Sequence, residues 1–215
     1  MKYGETTFDI LYLLFAIVSG FVILRRATDK TGKRMGLAAL ILGCGDAFHL
    51  VPRVLNYFVS ADFTAALGVG KLVTSITMTL FYVLLYYIIA GFSGQAQSRR
   101  VTVCVWALAA VRILLCLFPQ NGWLQNSDGM TWGIVRNVPF VLLGAAVCVL
   151  AFRARKTEPT QGRLWLYILL SFLFYIPVAV AAGILPMLGM LMLPKTICYV
   201  LLIIAFLRAT GSKRR

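Results

Sequence analysis

Residues Met35–Leu55 read MGLAALILGCGDAFHLVPRVL. The run is long enough to cross a hydrocarbon core of about 30 Å, yet it carries polar groups toward one end. Asp46, His49 and Arg53 stand at i, i+3 and i+7, which places them on one helical face. Counted inward from Met35 at about 1.5 Å per residue, Asp46 lies roughly 16 Å deep and Arg53 about 27 Å. Charges in hydrocarbon are costly, so such residues face a bundle interior or a watery cavity and find a partner. This stretch alone predicts a membrane helix and a polar interior.

Six further stretches are long and apolar enough to span: Phe8–Leu24, Ala65–Ala90, Val101–Phe118, Trp132–Phe152, Leu164–Gly183 and Leu185–Leu207. Hydrophobic residues make up 60% of the chain and charged ones 13%, and mean hydropathy is +0.86. Backbone groups in lipid must be satisfied within a segment, so the spans are helices. The fold class is an all-α integral membrane protein with seven transmembrane helices. The connections are too short for a soluble domain, so residues 1–215 form one transmembrane domain.

The net charge of +14 resembles a nucleic-acid footprint until its distribution is read. Arg25, Arg26, Lys30, Lys33 and Arg34 follow span 1, and Arg99 and Arg100 follow span 3. Arg153, Arg155, Lys156 and Arg163 follow span 5, and Arg208, Lys213, Arg214 and Arg215 follow span 7. Fifteen of the 21 cations thus fall on one side. The other side has Lys2 outside the spans, with Glu5, Asp62 and Asp128. The positive-inside rule puts the N-terminus outside and the C-terminus in the cytoplasm. The basic connections are topology determinants with anionic-lipid contact as a bonus, so membrane lipids are expected partners and nucleic acid is not. Span 1 is not a cleaved signal peptide: its cations follow the apolar run, and no small-residue cleavage site closes it. Cys44, Cys104, Cys116, Cys148 and Cys198 lie within spans without a CxxC or His-rich grouping. Neither a disulfide framework nor a metal site is indicated, and no cofactor is implied.

Spans 1–3 and 5–7 echo each other. Span 2 carries Phe48-His49-Leu50-Val51-Pro52 and span 6 carries Phe174-Tyr175-Ile176-Pro177, while spans 3 and 7 each bring in a lysine, Lys71 and Lys195. This predicts a 3+1+3 parallel repeat with halves 8–91 and 132–208 and a linker helix 101–118. Parallel repeats occur in transporters whose sites lie at the repeat interface. Pro52 and Pro177 interrupt helices 2 and 6, serving either as hinges or as simple kinks.

Six ionisable groups form the intramembrane constellation: Asp46, Arg53, Lys71, Arg112, Arg136 and Lys195, with His49 beside the first. All fall near or beyond mid-membrane on the outer side. Five cations against one carboxylate leave a surplus that water, a lipid headgroup or an anionic ligand must balance. A carboxylate or phosphate suits the planar fork of arginine. Arg53, Lys71 and Arg136 are near enough to the outer surface to snorkel, and snorkelling competes with ligand contact for these three. Asp46, Arg112 and Lys195 are deeper, and either converge on a ligand or pair to lock the bundle. With His49 and Tyr175, these residues make up the candidate ligand-binding set. The hydroxyls of Thr74, Ser75, Thr77 and Thr79 either line a polar path or bond between helices. Trp123 and Trp132 are expected to be interfacial anchors.

The segment Gly45-Asp46-Ala47-Phe48-His49-Leu50-Val51-Pro52-Arg53 resembles the glycine-aspartate helix of the lysoplasmalogenase-like (YhhN-type) family of small bacterial and animal membrane proteins. As in that family, the next span ends in a Tyr-rich stretch, Phe81-Tyr82 and Tyr86-Tyr87. The resemblance implies a helical membrane fold and hydrolysis of a lysolipid vinyl-ether bond with Asp46 as one of two catalytic aspartates; the expected location is a bacterial plasma membrane. The candidate position for the second holds Ser171.

Three functions compete. Binding or transport of a small anionic or zwitterionic solute fits the repeat, the basic pocket and the paired prolines. A lysolipid hydrolase fits the resemblance but leaves Asp46 without a partner acid. A seven-helix sensory receptor would use Lys195 as a Schiff-base lysine and Asp46 as counter-ion, although span 3 has no acid where opsin analogy requires one. Topology is directly testable. Reporter fusions after Gly94 and after Thr157 should read cytoplasmic and one after Asn126 external; a reversal at any of the three overturns the span assignment.

Overall fold

The computed structural model describes residues 2–93, 98–126, 129–156, 162–181 and 185–212. Seven α-helices account for most of them: α1 Lys2–Arg26, α2 Lys30–Phe58, α3 Thr64–Ser93, α4 Arg99–Leu117, α5 Met130–Arg153, α6 Leu164–Ala181 and α7 Met192–Ser212. All seven regions are long and apolar enough to cross a bilayer, and the chain has the architecture of a multi-span membrane protein.

The helix ends differ from the sequence reading where capping or proline chemistry decides them. Asp29 precedes α2, and its Oδ1 accepts the Gly32 amide at 2.8 Å, so the helix starts five residues before Met35. α2 then runs through Pro52 to Phe58. The seventh span differs most: residues Pro186–Leu191 are 3₁₀-helical and the α-helix begins only at Met192. Pro194 is the reason. It lacks an amide hydrogen for the Met190 carbonyl, so it fits only the first turn of an α-helix. The expected end at Gly183 lies outside the described residues, as do Lys213, Arg214, Arg215 and Asp128.

The helices form a ring in chain order, closed where α7 packs on α1 as well as α6. α3 lies innermost, touching α2, α4 and α5, and buries Phe81, Tyr82, Leu85, Tyr86 and Ile88 almost completely. Tyr82 anchors an aromatic cluster, edge-on to Phe140 at 5.2 Å and to Phe172 at 5.3 Å. Its hydroxyl shares a 3.2 Å hydrogen bond with Ser171, the residue standing where the family resemblance calls for an acid. On the outside, Leu11, Leu14, Phe21, Leu114, Leu142 and Leu173 are among many exposed apolar side chains. Such a surface is a liability in water and a solvated face in lipid.

Contacts fix the pairs α1–α2, α2–α3, α3–α4 and α5–α6 as antiparallel, which leaves α7 parallel to α1 where the ring closes. α1 and α2 meet through small residues: Gly20 lies against Leu40, Gly36 against Leu24, and Gly43 against Ala16 and Ile17. α2 and α3 approach more closely still. Thr74 donates to the Gly45 carbonyl at 3.1 Å, and Gly70 lies against the Phe48 carbonyl and His49 Cα with no room for a methyl group. The alternation brings the described basic residues of the α1–α2, α3–α4 and α5–α6 connections, with Arg208, to one end. Gly70→Ala should therefore cost about 1–3 kcal/mol by overpacking. Gly133→Ala, with nothing within 4 Å, should leave stability unchanged or slightly raised. Thermal unfolding in detergent checks both, and equal effects would contradict the close α2–α3 approach.

Candidate functional site

At the end of the ring opposite the basic connections lies a cavity of about 370 Å³. Each helix except α1 supplies part of its wall: His49 from α2, Lys71 from α3, Arg112 from α4, Arg136 from α5, Tyr175 from α6 and Lys195 from α7. The cavity collects six of the eight candidate residues. Asp46 and Arg53 are not among those lining it.

Arg112 organises the wall. It is only 2% exposed, and its acceptors are all neutral. Nε donates to Thr79 Oγ1 at 3.0 Å, and Nη1 donates to the Arg136 carbonyl at 2.9 Å and to Asn137 Oδ1 at 2.8 Å. Its guanidinium lies 3.9 Å from the Phe140 ring centre, in cation–π contact. Asn137 Oδ1 also accepts the Tyr175 hydroxyl at 2.7 Å, so one amide oxygen ties α4 and α6 to α5. The Asn137 amide nitrogen donates to the Gly133 carbonyl at 2.8 Å, which fixes that orientation.

Arg136 bonds to the connection between α4 and α5 rather than snorkelling outward. Its Nη1 donates to Asn121 Oδ1 at 2.9 Å, and its guanidinium stacks 4.5 Å from the Trp123 ring. Asn121 is itself held by the Leu115 and Phe118 carbonyls, each at 2.8 Å. Trp123 donates to the Cys116 carbonyl at 2.7 Å and lines the cavity. It is a wall of the site, where an interfacial anchor was expected. Gly122 with φ 60° and Asn126 with φ 49° give this connection its two left-handed turns.

Lys195 enters from the first turn of α7. Its ammonium faces the Tyr175 ring at 4.8 Å and the Tyr199 ring at 5.5 Å. Among the described residues no carboxylate is in ion-pair contact with it. Asp46 lies within electrostatic reach but does not touch it. The hydroxyl run of α3 divides between both expected roles. Thr74 and Ser75 line the cavity, while Thr79 serves Arg112.

Asp46 turns toward α1. It accepts the Tyr12 hydroxyl at 2.6 Å, and its charge reaches Asp9. Asp9, 5% exposed, lies inside span 1 and is missing from the sequence-level constellation, which counted one carboxylate. Arg53 also finds a partner there: it forms an ion pair with Glu5, which accepts the Tyr57 hydroxyl at 3.0 Å. Glu5 is therefore part of α1, not of an outer tail. With Asp9 and Glu5 included, three carboxylates face five cations, and the surplus falls from four to two. The bounds of span 1 alone would have exposed Asp9. Glu5 could be assigned only once α1 was seen to begin at Lys2.

No family model, no curated protein and no solved structure matches the chain. Among the described residues no cluster of His, Cys, Asp or Glu has the makings of a metal site.

The Arg112 network makes a structural prediction. Arg112→Met removes three hydrogen bonds, with Asn137 Oδ1 keeping Tyr175 and Thr79 keeping the Ser75 carbonyl, and should cost about 1–3 kcal/mol in all. Arg112→Lys should recover less than half of the loss, because a point ammonium cannot reproduce the two-nitrogen geometry. Thermal unfolding of the three proteins checks this; full rescue by lysine would show that charge alone matters.

Proposed function

We propose that the chain binds, and in a membrane context transports, a small anionic solute in the cavity between α2 and α7. One observation carries the reading: Lys195 and Arg112 face the same cavity with only neutral groups in direct contact. A lysine between two tyrosine rings and an arginine on neutral acceptors both keep their positive charge unspent. In a water-poor site that combination favours a carboxylate or phosphate. The positive-inside rule would open the cavity to the outer side.

A lysolipid hydrolase remains a second reading because of one feature: Asp9 stands near Asp46 and supplies the second carboxylate that the sequence lacked in span 6. Two carboxylates in unlike environments are the usual equipment for acid–base work. Against it, neither aspartate lines the cavity, and Asp46 is engaged by Tyr12.

Binding of inorganic phosphate and of short carboxylates to purified protein separates the two. Lys195→Gln should weaken anion binding about 10- to 100-fold, the worth of a lost charged hydrogen bond. Asp46→Asn removes a nearby negative charge and should retain or tighten it. Lysolipid turnover that Asp46→Asn abolishes would defeat the anion-binding proposal; absent turnover with saturable anion binding lost in Lys195→Gln would defeat the hydrolase.

A further inference from the structure

We infer that the solute is a single-chain amphiphile, drawn from the surrounding leaflet, with its anionic head in the basic cavity and its tail in a groove between α5 and α6. This rests on the anion-binding reading above. The groove has a volume of about 200 Å³ and is apolar apart from Asn137. Ile134, Val138 and Leu142 line it from α5 at i, i+4 and i+8, and Ile176 and Val180 from α6. These five side chains are 38–53% exposed, so the groove lies on the face that the lipid would cover.

The groove and the basic cavity adjoin. They share Asn137, Ala179 and Val180 as common walls. Asn137 stands at the junction, with Oδ1 bound to Arg112 and Tyr175 on the charged side. Ala179 is the smallest of the three and puts the least bulk between head site and groove. A fully water-soluble ion gains nothing from an apolar slot beside its site. An amphiphile gains about 0.8 kcal/mol for each methylene removed from water, and entry through the membrane spares its tail from exposure. The described lining of both cavities contains no carboxylate, and the rings of Trp123, Phe140 and Tyr175 already face cations of the protein, so no group is placed to receive a choline or ethanolamine ammonium. The head is therefore a simple anion, a phosphate monoester or a carboxylate, and not a zwitterion.

The test uses full-length protein in phosphatidylcholine nanodiscs, with empty discs as blank, and methyl, butyl and octyl phosphate below their micellar concentrations. Affinity should rise at least about tenfold from methyl to octyl phosphate. Val138→Trp and Leu142→Trp fill the groove at exposed positions that leave packing intact. Each should abolish the chain-length gain without changing methyl phosphate binding, and lysophosphatidylcholine should not compete. Equal affinity for methyl and octyl phosphate, both lost in Lys195→Gln, would overturn the tail site while leaving the anion site standing. Competition by lysophosphatidylcholine as strong as by octyl phosphate would overturn the anionic head. Absence of saturable binding by any of the phosphates would overturn the anion site and this inference with it.

Discussion

A guanidinium 2% exposed inside a helical bundle has to be held by hydrogen bonds, and Arg112 is held through Nε and Nη1 without a carboxylate. Its acceptors come from α3 and α5, and through Asn137 the same knot holds α6. Burying a charge this way is expensive, and removing any one acceptor would leave the guanidinium less well compensated. The network therefore fixes how four helices meet at one end of the ring. Because every acceptor is neutral, it fixes the geometry without cancelling the charge.

α2 serves two environments with two faces. Toward α1 it presents Asp46 and Arg53, which meet Tyr12 and Glu5 in an antiparallel ladder with Asp9 between them. Toward the cavity it presents His49. The negative groups are thereby gathered on the α1 side and the cations of α4 and α7 on the cavity side. Asp46 and Lys195 are close enough to influence each other across that divide. This segregation, more than the total count of charges, gives the cavity its basic character.

The spans were legible because lipid imposes length and apolarity on every crossing, and those are properties of single segments. That Arg112 and Lys195 face one interior was legible for a related reason: a charge deep in a span has few places to point, whereas for Lys71 and Arg136 the sequence left snorkelling open. Direction around the helix axis was not. Asp46 and His49 share a face by spacing, yet Asp46 is met by Tyr12 of α1 while His49 reaches the cavity, a division set by where neighbouring helices pack. The Glu5–Arg53 pair depends on α1 extending beyond its apolar run, and the late start of α7 on Pro194 acting with the 3₁₀ turn before it. Asn137, which joins three helices, is a lone amide in an apolar span and gave no periodic signal. The comparison of spans 1–3 with 5–7 did not foresee the central position of α3.

The central claim is that Lys195 and Arg112 hold their charge for an anion. Selenate, a heavy analogue of small oxyanions, can be located directly by its anomalous scattering in crystals of the protein. A single strong peak within hydrogen-bonding distance of the Lys195 ammonium and facing Arg112, absent in Lys195→Gln, is the result the account predicts. Selenate confined to the basic connections around Arg25–Arg34 and Arg153–Arg163, with none in the cavity, would contradict it.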